Sequence, residues 1–100
     1  VFATSDWSAI GALAAIKESG LRVPEDISLA GFDDIEVAAY CDPPLTTIRV
    51  PAYEMGRIAM RTLVEMIRNG KTEVRQYCLD TDLIVRQSCA EVKNTVLKSV

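Results

Sequence analysis

The stretch SLAGFDDIEVAAYCDPPLTTIR, residues 28–49, decides the fold. It closes the apolar run 27–32 on two adjacent carboxylates, Asp33 and Asp34. It then continues irregularly and re-enters an extended, β-branched run at residues 46–49 through Pro43 and Pro44. A near-continuous apolar run is the pattern of a parallel strand covered on both faces, because an exposed face would show polar residues at every second position. Upstream, residues 1–5 read as a short buried strand, and Asp6 stands where a helix N-cap belongs, its carboxylate able to accept from the free amides of the next turn. Ile10, Leu13, Ala14 and Ile16 supply an apolar stripe, Lys17 complements the C-terminal end of the dipole, and Gly20 is a left-handed stop. Strand, helix and strand within about 32 residues form a βαβ unit.

Downstream, residues 35–40 are expected to form one or two helical turns, which Pro43 and Pro44 end. Pro51 suits the first turn of a second helix, since its missing amide has no intrahelical partner there. Met55, Ala59, Thr62, Leu63, Met66 and Ile67 run down one face of that helix until Asn69-Gly70 ends it. Residues 76–79 and 83–86 read as closing strands, and the last ten residues, 91–100, as a tail.

A chain of 100 residues buries enough surface for one modest core. Its composition, 49% apolar and 25% charged, is ordinary for a globular protein and holds no apolar run long enough to span a bilayer. The Thr4-Ser5-Asp6 interruption and the missing basic leader give no export signal, and the opening in mid-strand reads as a piece of a longer protein. With 11 basic against 14 acidic residues, the segment lacks the clustered cations that neutralise DNA phosphates. Cys41, Cys78 and Cys89 form no CxxC pair, and an odd count points to reduced thiols rather than a disulfide framework. The absence of histidine removes the commonest general base, the usual nucleophile activator and a frequent zinc ligand.

In an open parallel sheet, ligands bind beyond the carboxyl ends of the strands, where Ser5-Asp6, Asp33-Asp34 and Arg49-Val50 fall. Asp33 is the leading candidate, because an acceptor-only carboxylate behind an apolar strand suits two adjacent hydroxyls of a sugar or nucleoside. A cap or turn role would also explain it, and such a role accounts more simply for Asp34. An N-cap role explains Asp6 fully and leaves ligand contact as the lesser reading, whereas Ser5 is open to either. A metal cradle or a proton acceptor remain further uses of an acidic pair. Neither GxGxxG nor GK[ST] occurs, so nucleotide phosphates are not expected ligands. Trp7 and Tyr40 suit an interface or core better than stacking on a ligand ring.

The ordered series TSDWSAIGALAAIKESGLRVPEDISLAGFDDIEVAAYCDPPLTTIRVPAYEMGRIA resembles the C-terminal part of the effector-binding domain of the lactose-repressor/galactose-repressor family of bacterial transcription regulators, over residues 1–90. The resemblance implies an α/β, Rossmann-like, periplasmic-binding-protein-like fold with parallel sheets, here as a C-terminal fragment. Residues 1–50 would form the βαβ unit and crossover strand of the C-terminal subdomain, 51–79 a helix and strand of the N-terminal subdomain, and 80–90 the return strand. Asp33 matches the family's ligand-contacting aspartate, Ser5 the position where an asparagine usually completes the site, and Val50 a position often held by glutamine. Serine is shorter than asparagine and valine offers no hydrogen bond, which implies an effector smaller, deoxygenated or more apolar than a hexose. The family dimer places Ile10, Val37, Tyr40 and Cys41 at the subunit interface. The resemblance also implies a cytoplasmic, non-enzymatic protein without cofactor or metal, which reaches operator DNA through a headpiece outside this sequence.

Two other readings use the same residues. A transporter's exported sugar-binding protein would share the crevice, but GLRVPEDIS, PPLTTIR and three free cysteines fit the regulator better. A receiver-type phosphotransfer domain would use Asp33-Asp34 to hold magnesium. It needs a further aspartate at another strand end and a lysine after a later strand, and neither is evident.

Overall fold

The computed structural model describes residues 1–70 and 75–92; of the expected tail, residues 93–100 lie outside the described residues. Helix α1 spans Asp6–Glu18, a 3-10 helix Glu36–Tyr40, strand β1 Thr47–Arg49, helix α2 Ala52–Asn69 and strand β2 Asp82–Ile84. Both helices stand where the sequence places them, and the turns expected at 35–40 form the 3-10 helix.

The cap of α1 is not the expected one. Ser5 is extended at φ −152°, and its side chain accepts from the Ser8 amide, so Ser5 is the N-cap and Asp6 the first helical residue. At the other end Gly20 takes φ +78°, its N–H bonds the Lys17 carbonyl at 3.0 Å, and the Leu21 N–H bonds the Ile16 carbonyl at 3.1 Å. This paired arrangement closes helices on a left-handed residue and confirms Gly20 as the stop. Helix α2 likewise ends on a left-handed glycine, Gly70, φ +63°. Pro51 sits one position before α2, and its carbonyl accepts from the Met55 amide at 2.9 Å.

The core consists of Ala9, Leu13, Val23, Leu29, Ala38 and Leu45, flanked by Ala3, Ala12, Ile16, Ile35 and Cys41. The inward line of α1 is therefore Asp6, Ala9, Leu13 and Ile16; Ile10 is half-buried outside the cluster and Ala14 is exposed. Asp6 turns inward because its carboxylate is bonded beneath the helix, and this rotates the expected stripe.

Three isolated bridges carry the pairing of the first half: Phe2 with Ala30, Ala30 with Thr46 and Asp33 with Arg49, all parallel. Their bonds, from the Ala3 amide to Ala30, the Gly31 amide to Thr46 and the Asp33 amide to Ile48, put the segment around Ala30 between its two neighbours. They do not build the expected regular strands. The assigned sheet among the described residues is the two-stranded antiparallel pair β1–β2, with Thr47 opposite Ile84 and Arg49 opposite Asp82. Residues 76–79, expected as a strand, lie in none. Cover on both faces is also incomplete: Leu29 and Gly31 are buried, whereas Ala30 and Phe32 are half-buried.

Residues 86–90 return to seal the open edge of this core. The Leu29 amide donates to the Ser88 carbonyl at 2.9 Å, the Thr46 amide donates to Ser88 Oγ at 2.8 Å, and Ser88 Oγ itself donates to the Leu29 carbonyl. Helix α2, by contrast, contributes no buried residue. A radius of gyration of 19.1 Å compares with about 13 Å for a compact domain of this length, in keeping with a helix that buries nothing against the core. Its apolar face instead lines a groove of about 700 Å³ with Phe32, Val50 and Tyr77.

Candidate functional site

The carboxyl ends of three chain segments meet at one place. The Asp6 amide donates to the Phe32 carbonyl at 3.0 Å, and the Asp33 amide donates to the Ile48 carbonyl at 2.9 Å. Ser5, Asp33 and Val50 are thereby brought to one edge, as the sequence predicts. Asp33 is exposed, and among the described residues its carboxylate has no hydrogen bond or ion pair. Ser5 Oγ accepts from the Ser8 amide at 3.2 Å and donates to Ser8 Oγ at 3.1 Å, so much of its capacity is used in capping. Val50 is half-buried on the wall of the groove beside Phe32.

Asp6 departs from its expected place as a ligand contact. It is 0% exposed, Oδ1 accepts from the Thr47 hydroxyl at 2.6 Å, and Oδ2 accepts from the Ile35 amide at 2.8 Å. A sealed carboxylate with both oxygens bonded braces the loop from behind and does not face a cleft. Its closeness also explains Gly31, where an added Cβ would overlap Asp6 Oδ1 and crowd Leu45.

Asp34, expected as a turn or cap residue, is instead the centre of an ion-pair cluster. Arg49 Nε donates to its Oδ2 and an Arg86 guanidinium nitrogen to its Oδ1, both at 2.8 Å. The carboxylate is 9% exposed and the Arg86 side chain 17%. Burial on its own raises the Asp34 carboxyl, but the hydrogen bonds and charges of Arg86 and Arg49 outweigh it and hold the group below its ordinary value. Asp33 and Asp34 both have positive φ, +121° and +57°. The left-handed value at Asp34 is one that aspartate visits, whereas that at Asp33 costs of order 1–3 kcal/mol and persists only where the surroundings enforce it. The Asp34 amide, donating to Thr47 Oγ1 at 3.3 Å, adds a further restraint.

The sequence-based reading missed Thr47, Arg86 and Ser88. Arg86 lies 52 residues from Asp34 and Ser88 lies 42 from Thr46, separations at which no local pattern signals a partner. Of the expected interface residues, Tyr40 is 81% exposed and Val37 is exposed beside it; Ile10 and Cys41 are half-buried. Cys41 Sγ reaches the Val37 carbonyl at 3.4 Å. Burial first, and then the Asp6 carboxylate, push its thiol pKa up. Among the described residues, no group of His, Cys, Asp and Glu side chains could hold a metal ion. No described helix is long and apolar enough to cross a membrane.

The sequence model of one family, the periplasmic binding protein-like domain, matches residues 1–89. The ribose operon repressor of Haemophilus influenzae is 43% identical over 93 residues, which cover 93% of this chain and 28% of that repressor. The transcriptional repressor CytR of Escherichia coli K12 is 47% identical over 88 residues, covering 88% of this chain and 26% of CytR. Among solved structures, the transcriptional regulator CelR in complex with cellobiose superposes with a TM-score of 0.83 at 43% identity, over 88% of this chain and 27% of that one. A LacI family regulator of Enterococcus faecalis V583 with bound ribose gives 0.84 at 35% identity, over 92% of this chain and 34% of that one. The chain thus spans about a quarter to a third of the length of these relatives.

Proposed function

Since the chain belongs to the periplasmic binding protein-like domain family, as the C-terminal part of the effector domain of a lactose-repressor/galactose-repressor type regulator, we propose that it is the ligand-sensing part of a bacterial repressor. It binds a small, sugar-like effector and alters affinity for operator DNA, which a headpiece outside these 100 residues contacts. The observation that carries this reading is the free, exposed carboxylate of Asp33 at the meeting point of three segment ends. An anion with unused acceptor capacity, held at a strand end, takes two adjacent hydroxyls. CelR with cellobiose and the Enterococcus faecalis regulator with ribose support a sugar-like ligand. Ser5 completes the contact from the α1 cap, and Val50 supplies an apolar wall, which favours a pentose or deoxygenated ring over a hexose. Asp34 is spent on two guanidinium groups, so the acidic pair suits a binding protein better than a magnesium-dependent phosphotransfer domain, and the protein acts as a regulator, not an enzyme.

We further assign residues 1–50 to one subdomain, 51–79 to a second and 80–90 to the return pass. The core lies wholly within the first, and α2 buries nothing against it. The three bridges then extend as a parallel sheet in the complete subdomain. Effector and DNA each favour one arrangement of the subdomains, so each shifts the other's affinity by the same factor. A protein that must reach DNA acts in the cytoplasm.

Titration calorimetry of the full-length protein against ribose, cellobiose and nucleosides tests the site. Asp33→Ala is expected to leave folding intact and weaken effector binding by about 1.5 to 3 kcal/mol, the range for hydrogen bonds to a charged group, or roughly 10- to 150-fold. Equal affinities would remove Asp33 from the site, and the absence of any binding sugar or nucleoside would overturn the effector class.

Dimerisation is proposed through Ile10, Val37, Tyr40 and Cys41, the first of which lies outside the core cluster. Ile10→Asp then places an unpaired charge in a desolvated contact. Sedimentation is expected to show a folded monomer. A folded dimer of unchanged affinity would defeat the interface, and an unfolded chain would return Ile10 to the interior.

A further inference from the structure

We propose that Asp34 is a positioning residue for the effector site: its clamp on Arg49 and Arg86 holds the left-handed backbone that presents the Asp33 carboxylate. The proposal rests on the reading of Asp33 as the effector's hydroxyl acceptor. Three successive amides fix the segment from behind. Asp33 donates to Ile48 at 2.9 Å, Asp34 to Thr47 Oγ1 at 3.3 Å and Ile35 to Asp6 Oδ2 at 2.8 Å. These bonds orient the peptide planes from the inner side, but the middle one, at 3.3 Å, is long and leaves some freedom at Asp34. The side chain of Asp34 removes that freedom. Its two oxygens are held at 2.8 Å by guanidinium groups from two different passes of the chain, one on β1 and one just beyond β2. At 9% exposure the carboxylate has little water to turn to if the clamp opens.

Within this arrangement the amides of residues 33–35 and both carboxylate oxygens of Asp34 are bonded, whereas the Asp33 carboxylate is exposed and, among the described residues, unpaired. The φ of +121° at Asp33 is foreign to an unstrained aspartate, while +57° at Asp34 is a conformation aspartate tolerates. The strain therefore sits on the ligand-facing residue and the restraint on its neighbour, the division expected where a contact is pre-formed rather than adopted on binding.

The test uses the full-length protein with D-ribose as probe, in a cycle of Asp33→Ala, Asp34→Asn and the double variant read by titration calorimetry. Leu13→Ala, a core change away from the site, controls for loss of stability. Asp34→Asn is expected to weaken ribose binding at least tenfold in wild type and less than twofold in the Asp33→Ala background, while Leu13→Ala leaves affinity within twofold despite a lower melting temperature. Arg86→Lys is expected to restore part of what Arg86→Met loses. Ribose binding within twofold of wild type in folded Asp34→Asn overturns the proposal, as does an Asp34→Asn loss that persists undiminished without Asp33. If Asp33→Ala alone changes nothing while Asp34→Asn weakens binding, the reading of Asp33 fails and the positioning role with it. Should wild type not take ribose, the crystal structure of Asp34→Asn decides: relaxation of Asp33 to negative φ supports the clamp, and an unchanged positive φ overturns it.

Discussion

Asp6→Ala is expected to lower the folding stability of the full-length protein by about 3 kcal/mol, although residue 6 touches no solvent and, in the reading above, no effector. Two hydrogen bonds to a charged acceptor disappear at once, each worth about 1.5–3 kcal/mol, and relief from keeping a carboxylate buried returns part of the sum. The Thr47 hydroxyl and the Ile35 amide are left facing an apolar hole. The same geometry makes a sharper statement about Gly31. Gly31→Ala in wild type is expected to cost about 2 kcal/mol, since the new Cβ overlaps Asp6 Oδ1. In the Asp6→Ala background, with that oxygen gone, the added cost is expected to fall below about 1 kcal/mol, a coupling of the size that residues in contact show. Urea denaturation of the four proteins in the cycle gives the answer, and purely additive costs would show that Gly31 is there for another reason.

The other large effect is Leu45→Ala, expected to cost about 3 to 5 kcal/mol, the upper part of the range for leucine truncation. The cost of a cavity depends on whether its walls can close, and here they cannot move freely. Leu45 is 1% exposed, its amide donates to the Ala38 carbonyl at 2.9 Å, and its carbonyl accepts from Arg86 at 2.9 Å. The backbone is thus pinned on both sides of the missing side chain. Native-state hydrogen exchange at the Leu29 and Thr46 amides, both bonded to Ser88, reports the loss locally. A change under about 1 kcal/mol would mean that the site collapses after all.

What the sequence discloses about this chain follows the range of the interactions. Both helices, the Gly20 and Gly70 stops and the short helix before the prolines depend on bonds within a few residues, and the periodicity shows them. The exposed place of Asp33 at a segment end was legible for a related reason: an acid directly after an apolar run has few partners within reach along the chain. The exchange of roles between Ser5 and Asp6 was not legible, because either side chain can cap and the choice is made by Thr47 and Ile35, far away in sequence. Asp34 looked like a turn residue until Arg86 supplied its counter-charge. The closing strand expected at residues 76–79 fails in the same way, since Tyr77, Cys78 and Leu79 line the groove against α2 and, among the described residues, no strand pairs with them.

Ser88 ties the chemistry of this core to the order in which the chain is made. When residue 50 leaves the ribosome, every apolar side chain of the core already exists, yet the Thr46 amide and the Leu29 carbonyl still lack the hydroxyl that joins them. At about 5–20 residues per second, the 42 residues between Thr46 and Ser88 take roughly 2 to 8 s to synthesise. All of α2 emerges during that interval, carrying an apolar face for which the core offers no burial. The nascent protein therefore passes through a stage in which the core of residues 1–50 is unsealed while α2 finds no burial against it. Closure waits for a serine near the end of the described chain, which makes the span from 51 to 87 the interval in which the polar backbone groups of Leu29 and Thr46 stay without their Ser88 partners.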